Sequence, residues 1–320
     1  MKTVFGKIFY IGWMLLLISL VSFIAIHAAP NSFFAAGELN PNITKESIEH
    51  LKAIYGLDKP LWEQYLRWIW AMLHLDFGLS FASGESVSSE IASRIGITLL
   101  MNIVSMVLVF FISLRLGISA ALKQGSMKDR AVKQLSLVSF AMPSFYLALL
   151  LILFFGLKLG WFPISGLHSL EPKEGIWKLV DEAWHLTIPI FVMVFGGIGG
   201  LTMYIRSLTL EILKSDYIFF AKARGIDEET IRKRFIMPNL MPSIITILGL
   251  SLPGLIGGSV IIESIFSING MGLLFFQSAL SRDYPVIMGI LIITAFLTLL
   301  GNVIADLALW KLNPYAKREG

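Results

Sequence analysis

The chain has 320 residues, 56% hydrophobic and 15% charged, with a formal net charge of +4 and no cysteine. That is too apolar for an ordinary soluble domain, where charged residues make up about a quarter. The absence of cysteine excludes a disulfide framework and any thiolate metal site. The small positive balance does not point to nucleic acid, because the cations fall where membrane topology places them.

A helix needs ~20 largely apolar residues to cross the hydrocarbon core. Six runs meet that need, at 8–29, 95–114, 135–157, 187–205, 241–262 and 286–309, so an all-α, polytopic membrane protein with six transmembrane helices is predicted. The first run is longer than the apolar core of a signal peptide, and Ile26-His27-Ala28-Ala29-Pro30 offers no small-x-small cleavage site. It reads as a retained N-terminal span over 1–29. With that end in the cytoplasm, most of the 26 lysines and arginines lie inside. The bias is sharpest in the short connection holding Lys123, Lys128, Arg130 and Lys133. Both termini are therefore expected in the cytoplasm of a multi-pass inner-membrane protein, including the tail 311–320.

Residues 30–94 form the one sizeable polar block and fall outside on this topology. Thr44-Lys45-Glu46-Ser47 reads as a helix start, with Ile48, Leu51 and Ile54 at helical spacing. A second helix is expected from Lys59-Pro60-Leu61 to Leu75, with Pro60 in its first turn and Trp62, Tyr65, Trp68 and Trp70 suited to the membrane interface. The region is either a cap resting on the bilayer and the other spans, or a docking surface for an external partner.

Prolines interrupt three spans, at Pro143, Pro189 and Pro253, which neighbouring helices can accommodate. Glycines gather in the fourth and fifth spans as Gly196, Gly197, Gly199 and Gly200, then Gly257 and Gly258. They permit close helix packing or leave room for a pathway, and the pattern alone does not choose.

Between the fourth and fifth spans lies a charged loop, 206–240. Residues 208–224 can be helical, and Gly225 ends that helix because glycine readily takes the left-handed cap conformation. Lys222 and Arg224 occupy the last turn, where cations suit the negative end of the dipole. A second helix can begin after Asp227 as N-cap, with Glu228 and Glu229 in its first turn. Arg232, Lys233 and Arg234 follow, before Pro238 and Pro242 enter the next span. The product is helix, glycine corner, helix, held at the cytoplasmic surface and open to a docking partner.

This arrangement resembles the loop by which importer-type ABC permeases receive their ATPase subunits: Glu-Ala-Ala, three residues, Gly, nine residues, then Ile-x-Leu-Pro. Here Phe219-Phe220-Ala221 precedes Gly225 at the matching spacing, and Phe235-x-Met237-Pro238 follows at the matching distance. Phe219 stands in place of Glu, which leaves the polar contact of that residue open; Phe220 replaces the first Ala. The likeness continues through Gly56-Leu57-Asp58-Lys59-Pro60-Leu61, Leu75-Asp76-Phe77-Gly78-Leu79-Ser80, Ile262-Glu263-Ser264-Ile265-Phe266, Gly270-Met271-Gly272 and Ser281-Arg282-Asp283-Tyr284-Pro285-Val286. These are similar to segments of the dipeptide/oligopeptide/nickel permease subfamily. Arg94-Ile95-Gly96-Ile97-Thr98 departs from it, since relatives carry Leu-Pro before the threonine.

The resemblance implies a type I ABC importer permease fold, with a permease core over 95–310. It also implies a coupling role for Asp216, Phe219, Phe220, Ala221, Lys222, Ala223, Arg224, Gly225, Ile226, Asp227, Phe235, Met237 and Pro238. The implied partners are a second homologous permease, two ATP-binding subunits and an extracytoplasmic substrate-binding protein. The chain itself would be no enzyme and would bind no cofactor, ATP and Mg being used by the partner subunits. Short peptides are the expected cargo, and a nickel chelate is the alternative.

Consistent with that, no Gly-x4-Gly-Lys-Ser/Thr phosphate loop and no His-Glu-x-x-His or Gly-x-Ser-x-Gly motif occurs. No catalytic residue is expected, and His27, His50, His74, His168 and His185 lack metal-ligand spacing. An ion-coupled secondary transporter, the alternative of another class, calls for charged residues at mid-membrane. Asp306 and Arg115 lie instead near the predicted cytoplasmic ends of their spans. Glu263 and Asp283 fall near the outer face, as contacts for cargo leaving the binding protein or as solvated loop residues.

Overall fold

The computed structural model describes residues 2–28, 59–171, 173–251 and 259–312. The expected helix start at Thr44, and the positions Pro253, Gly257 and Gly258, lie outside these residues. Among the described residues every extended element is helical; the only β feature is an isolated bridge between Leu79 and Ser86.

In chain order the helices are α1 (Lys2–Ala28), α2 (Leu61–Leu73), α3 (Val87–Leu122), α4 (Met127–Ala141), α5 (Ser144–Leu151) and α6 (Ile176–Leu213). Then come α7 (Asp216–Ala223), α8 (Glu228–Ile231), α9 (Met237–Ser251), α10 (Val260–Ile265), α11 (Met271–Ser281) and α12 (Tyr284–Leu312). Two π-helical stretches continue their predecessors: Ile152–Lys158 after α5, and Arg232–Ile236, which joins α8 to α9.

Four stretches are long and apolar enough to cross a bilayer: Val87–Leu122, Ile176–Leu213, Glu228–Ser251 and Tyr284–Val303. The pair Met127–Ala141 and Ser144–Lys158 makes a fifth, and α1, at 27 residues and about 40 Å long, holds the shorter apolar stretch Phe9–Ile24. The all-α, polytopic reading holds.

The boundaries differ from expectation. The third span, read as 135–157, straddles a bend of 98°. Met142 is held extended before Pro143, as a residue preceding proline prefers, and Pro143 then starts α5. The helices carrying the second and fourth spans are also longer than the apolar runs, at 36 and 38 residues. Polar side chains at their ends prolong a helix without adding to its hydropathy.

The described residues fall into two compact units. The first draws on Met1–Thr98, Ile256–Val260 and Asn269–Gly301. In it α2 packs on α1: Phe23 meets the rings of Tyr65 and Trp68 at 5.3 and 6.1 Å, the Tyr65 and Ser19 hydroxyls lie 2.9 Å apart, and His27 Nε2 lies 3.2 Å from Gln64 Oε1. Of the four aromatics predicted for the interface, Tyr65 and Trp68 thus turn inward, whereas Trp62 and Trp70 are exposed. Pro60 is the N-cap of α2 and not a first-turn residue.

The second unit draws on Leu99–Leu255, Ile261–Ile268 and Asn302–Gly320. Its core gathers Ile118, Ile205, Ile218, Ala221, Ile231, Ile236, Leu240 and Ile244. Residues from α3, α6, α7, α8 and α9 therefore share one apolar cluster, and the loop between α6 and α9 is part of the packed body.

Candidate functional site: the elbow between α6 and α9

The elbow begins where α6 stops. Lys214 and Ser215 donate their N–H groups to the carbonyls of Glu211 and Ile212, both at 3.1 Å, and the Ser215 hydroxyl donates to the Ile212 carbonyl at 2.6 Å. Serine here competes for the backbone acceptor that would extend the helix. The helix expected over 208–224 is consequently two helices, broken at Lys214–Ser215. Ser215 takes an extended conformation and α7 starts at Asp216.

α7 is short and two-faced. Ile218 and Ala221, three residues apart, are buried in the core cluster. The other side carries Phe219 and Phe220, 68% and 61% exposed, beside exposed Asp216, Lys222, Ala223 and Arg224. Two phenylalanines thus stand bare beside charged neighbours.

Gly225 ends α7 as the sequence predicts. Its φ of 73° lies in the left-handed region; its N–H donates to the Lys222 carbonyl at 2.9 Å, and the Ile226 N–H donates to the Ala221 carbonyl at 3.1 Å. This pair of bonds is a Schellman closure, and half-buried Ile226 packs on the cluster that holds Ala221. Asp227 then caps the second limb, accepting the Thr230 N–H at 2.8 Å and its hydroxyl at 2.7 Å. The Thr230 side chain, followed by its amide, holds the Asp227 carboxyl below the usual carboxylate range.

The second limb runs without a stop into the fifth span. A π turn over Arg232–Ile236 lets Met237 N–H bond the Arg232 carbonyl, and Pro238, which has no N–H, follows inside α9. Asn239 Nδ2 donates to the Phe235 carbonyl at 2.6 Å. Phe235 stacks on Tyr217, centroids 6.5 Å apart, and so ties the two limbs together. Phe235 and Met237 are half-buried and Pro238 is exposed.

One element of this region escaped sequence reasoning. Asp129, 1% exposed, accepts Arg206 Nε at 2.7 Å and Nη2 at 2.9 Å, and also the Gly125 N–H at 2.9 Å. This bidentate pair locks the start of α4 to α6 two turns before the elbow. The only sequence signal was an acid inside the most basic connection of the chain.

The glycine quartet of α6 divides. A Cβ on Gly199 would stand 2.6 Å from the Ser136 carbonyl, and one on Gly197 would stand 2.7 Å from Val109 Cγ2. Around Gly196 and Gly200 nothing lies within 4 Å. Packing therefore explains two of the four.

Glu263 and Asp283 are not solvated loop residues. Glu263 is fully buried and Asp283 is 1% exposed. Asp283 accepts the Ser80 hydroxyl at 2.5 Å and the N–H groups of Phe81 and Ala82 at 3.1 Å. Two segments 203 positions apart, each of which supported the resemblance on its own, thus meet at one carboxylate. A further long-range contact joins the Met271 N–H to Thr98 Oγ1 at 2.8 Å.

Residues 113–317 match the family described as binding-protein-dependent transport system inner membrane component, and residues 4–102 match its N-terminal counterpart. The chain belongs to that family. It is 38% identical to the oligopeptide transport system permease protein AppB of Bacillus subtilis (strain 168) over 294 residues, covering 92% of both chains. It is 32% identical to the inner membrane ABC transporter permease protein YejB of Escherichia coli O157:H7, covering 86% of this chain and 77% of that one. A putative peptide transport system permease protein of Brucella abortus (strain 2308) is 31% identical over 295 residues.

Among solved structures, one of the MetNI methionine ABC transporter in inward-facing conformations shares the fold, with a TM-score of 0.53 and 17% identity over 70% of this chain and 96% of that one. Membership of a transport family sets aside the ion-coupled transporter and the membrane enzyme. The chain is a multi-pass inner-membrane permease component.

Proposed function

We propose that this permease forms half of the pathway of an ATP-driven importer of short peptides, and that α7 is the coupling helix through which a separate ATP-binding subunit moves it. The observation that carries this is the division of α7: Ile218 and Ala221 are sunk in the core, while Phe219 and Phe220 are left bare. A force applied to those rings reaches α3, α6 and α9 through one apolar cluster. Phe219 stands where the pattern this loop resembles has a carboxylate, so docking here is apolar. The peptide names of the relatives favour peptide cargo over a nickel chelate. An extracytoplasmic binding protein would deliver the peptide, and a second related permease would complete the pathway. ATP and Mg belong to the ATP-binding subunits, and both termini of this chain lie in the cytoplasm.

The test replaces Phe219 and Phe220 with Ser in the assembled transporter. Each ring contributes about 1.5–3 kcal/mol when buried, so docking weakens at least tenfold at one ring's worth of burial. Peptide-stimulated ATPase and uptake fall together while membrane insertion persists. Full stimulation in the double variant would refute the coupling role. Because the chain has no cysteine, Gln124→Cys provides a single label site between α3 and α4. Its modification from outside intact cells would overturn the topology.

A further inference from the structure

A groove of about 580 Å³ opens on the second unit where the ends of α3, α4 and α8 come together. Its rim carries four cations from three chain segments: Arg115 of α3, Lys128 of α4, and Arg232 and Lys233 after α8. Its floor is apolar, formed by Leu114, Ile118 and Met237. Glu229 answers part of the charge, at 2.6 Å from Lys233 and 3.9 Å from Arg232. Among the described residues, Arg115 and Lys128 have no carboxylate within salt-bridge distance, and both are exposed.

We infer that this groove binds an anionic phospholipid, with the headgroup phosphate among the four cations and an acyl chain along the floor. Depth favours a lipid over an acidic protein surface. Arg115 directly follows the apolar run 95–114, which places it at the headgroup layer, and Leu114, the last residue of that run, belongs to the floor. Basic pockets at the cytoplasmic ends of spans suit anionic headgroups, whereas an apolar floor gives an acidic partner nothing to bind. Arg232 and Lys233 belong to the far limb of the elbow, so a bound lipid bridges that limb to α3 and α4. The inference rests on the cytoplasmic placement of the elbow proposed above, but not on its coupling role.

The probe is phosphatidylglycerol. The whole transporter is placed in phosphatidylcholine nanodiscs with graded phosphatidylglycerol, and retained lipid is counted by native mass spectrometry. Arg115→Gln with Lys128→Gln removes two charges, each worth about 1 kcal/mol near the surface, so retention weakens about 30-fold. Unchanged retention overturns the inference. So does retained lipid accompanied by loss of the ATP-binding subunit, which would assign the rim to an acidic protein. If the double variant fails to assemble, the unmodified transporter is cross-linked with photoactivatable phosphatidylglycerol. Adducts concentrated on peptides containing Arg115 or Lys128 support the site, and adducts spread evenly around the membrane belt refute it. Neither readout involves ATP turnover, so a failure of the coupling proposal is seen separately.

Discussion

Gly199 and Gly200 are neighbours in sequence, identical in side chain, and opposite in what the structure demands of them. An alanine at 199 would place its Cβ 2.6 Å from the Ser136 carbonyl oxygen, 2.9 Å from Ser139 Oγ and 3.0 Å from the Phe140 nitrogen. Two of those atoms are backbone, and Ser139 is itself fixed by donating to the Phe195 carbonyl, so α4 must back away from α6. Overpacking of this kind costs about 1–3 kcal/mol, offset by the roughly 0.5–1 kcal/mol that alanine gains over glycine in a helix. At Gly200 nothing lies within 4 Å, so only the gain remains. The two variants should differ by about 2 kcal/mol, or by roughly 3 °C in melting temperature for a chain of 320 residues. Thermal unfolding of the purified transporter in one detergent, followed by tryptophan fluorescence, reads the gap. If Gly199→Ala melts with or above Gly200→Ala, the packing account of this crossing is wrong.

At Gly225, the open surroundings make conformation the sole cost of an added Cβ. Gly225→Asn should therefore retain transport, and Gly225→Ala should lose about 1–2 kcal/mol of elbow stability. Gly225→Pro, which also removes the N–H given to Lys222, should uncouple ATPase from uptake; equal uptake across the series would contradict the corner's role. For the buried pair, Arg206→Ala leaves Asp129 with Lys133 at 3.7 Å and the Gly125 N–H, so it should destabilise by about 3 kcal/mol, the low end for a broken buried pair, read as a fall in melting temperature. Arg206→Ala with Asp129→Ala should recover part of that loss, and simple additivity would deny the coupling. Acid should act on the elbow through Asp227. Its carboxyl is depressed when folded, so its cap contributes fully above the unfolded value of 3.8 and is lost as pH falls through the lower folded value. A fluorophore at position 223 should report loosening only below that range, and Asp227→Asn should flatten the response.

The comparison of sequence with structure turns on the range of the interactions. Six apolar runs, the Gly225 corner and the Asp227 cap were legible because each depends on contacts within a few residues: hydropathy summed over ~20 positions, a left-handed φ, an N-cap bond to the third residue on. Even local reading failed where two short-range preferences competed. Ser215 turned its hydroxyl onto the Ile212 carbonyl and broke the helix expected to run to Gly225. Pro143 produced a right-angle bend where only a tolerated interruption was expected.

What only the tertiary structure decided is the meaning of residues whose partners lie far along the chain. Asp283 became the buried anchor of the loop after Ser80, Asp129 became the lock on Arg206, and four like glycines became two packing contacts and two open positions. The reason is physical. Hydropathy and backbone conformation belong to a residue and its near neighbours, so they are written in order along the chain. Burial, close approach and charge pairing depend on which atoms from elsewhere arrive beside a residue, and that is settled only when the helices pack.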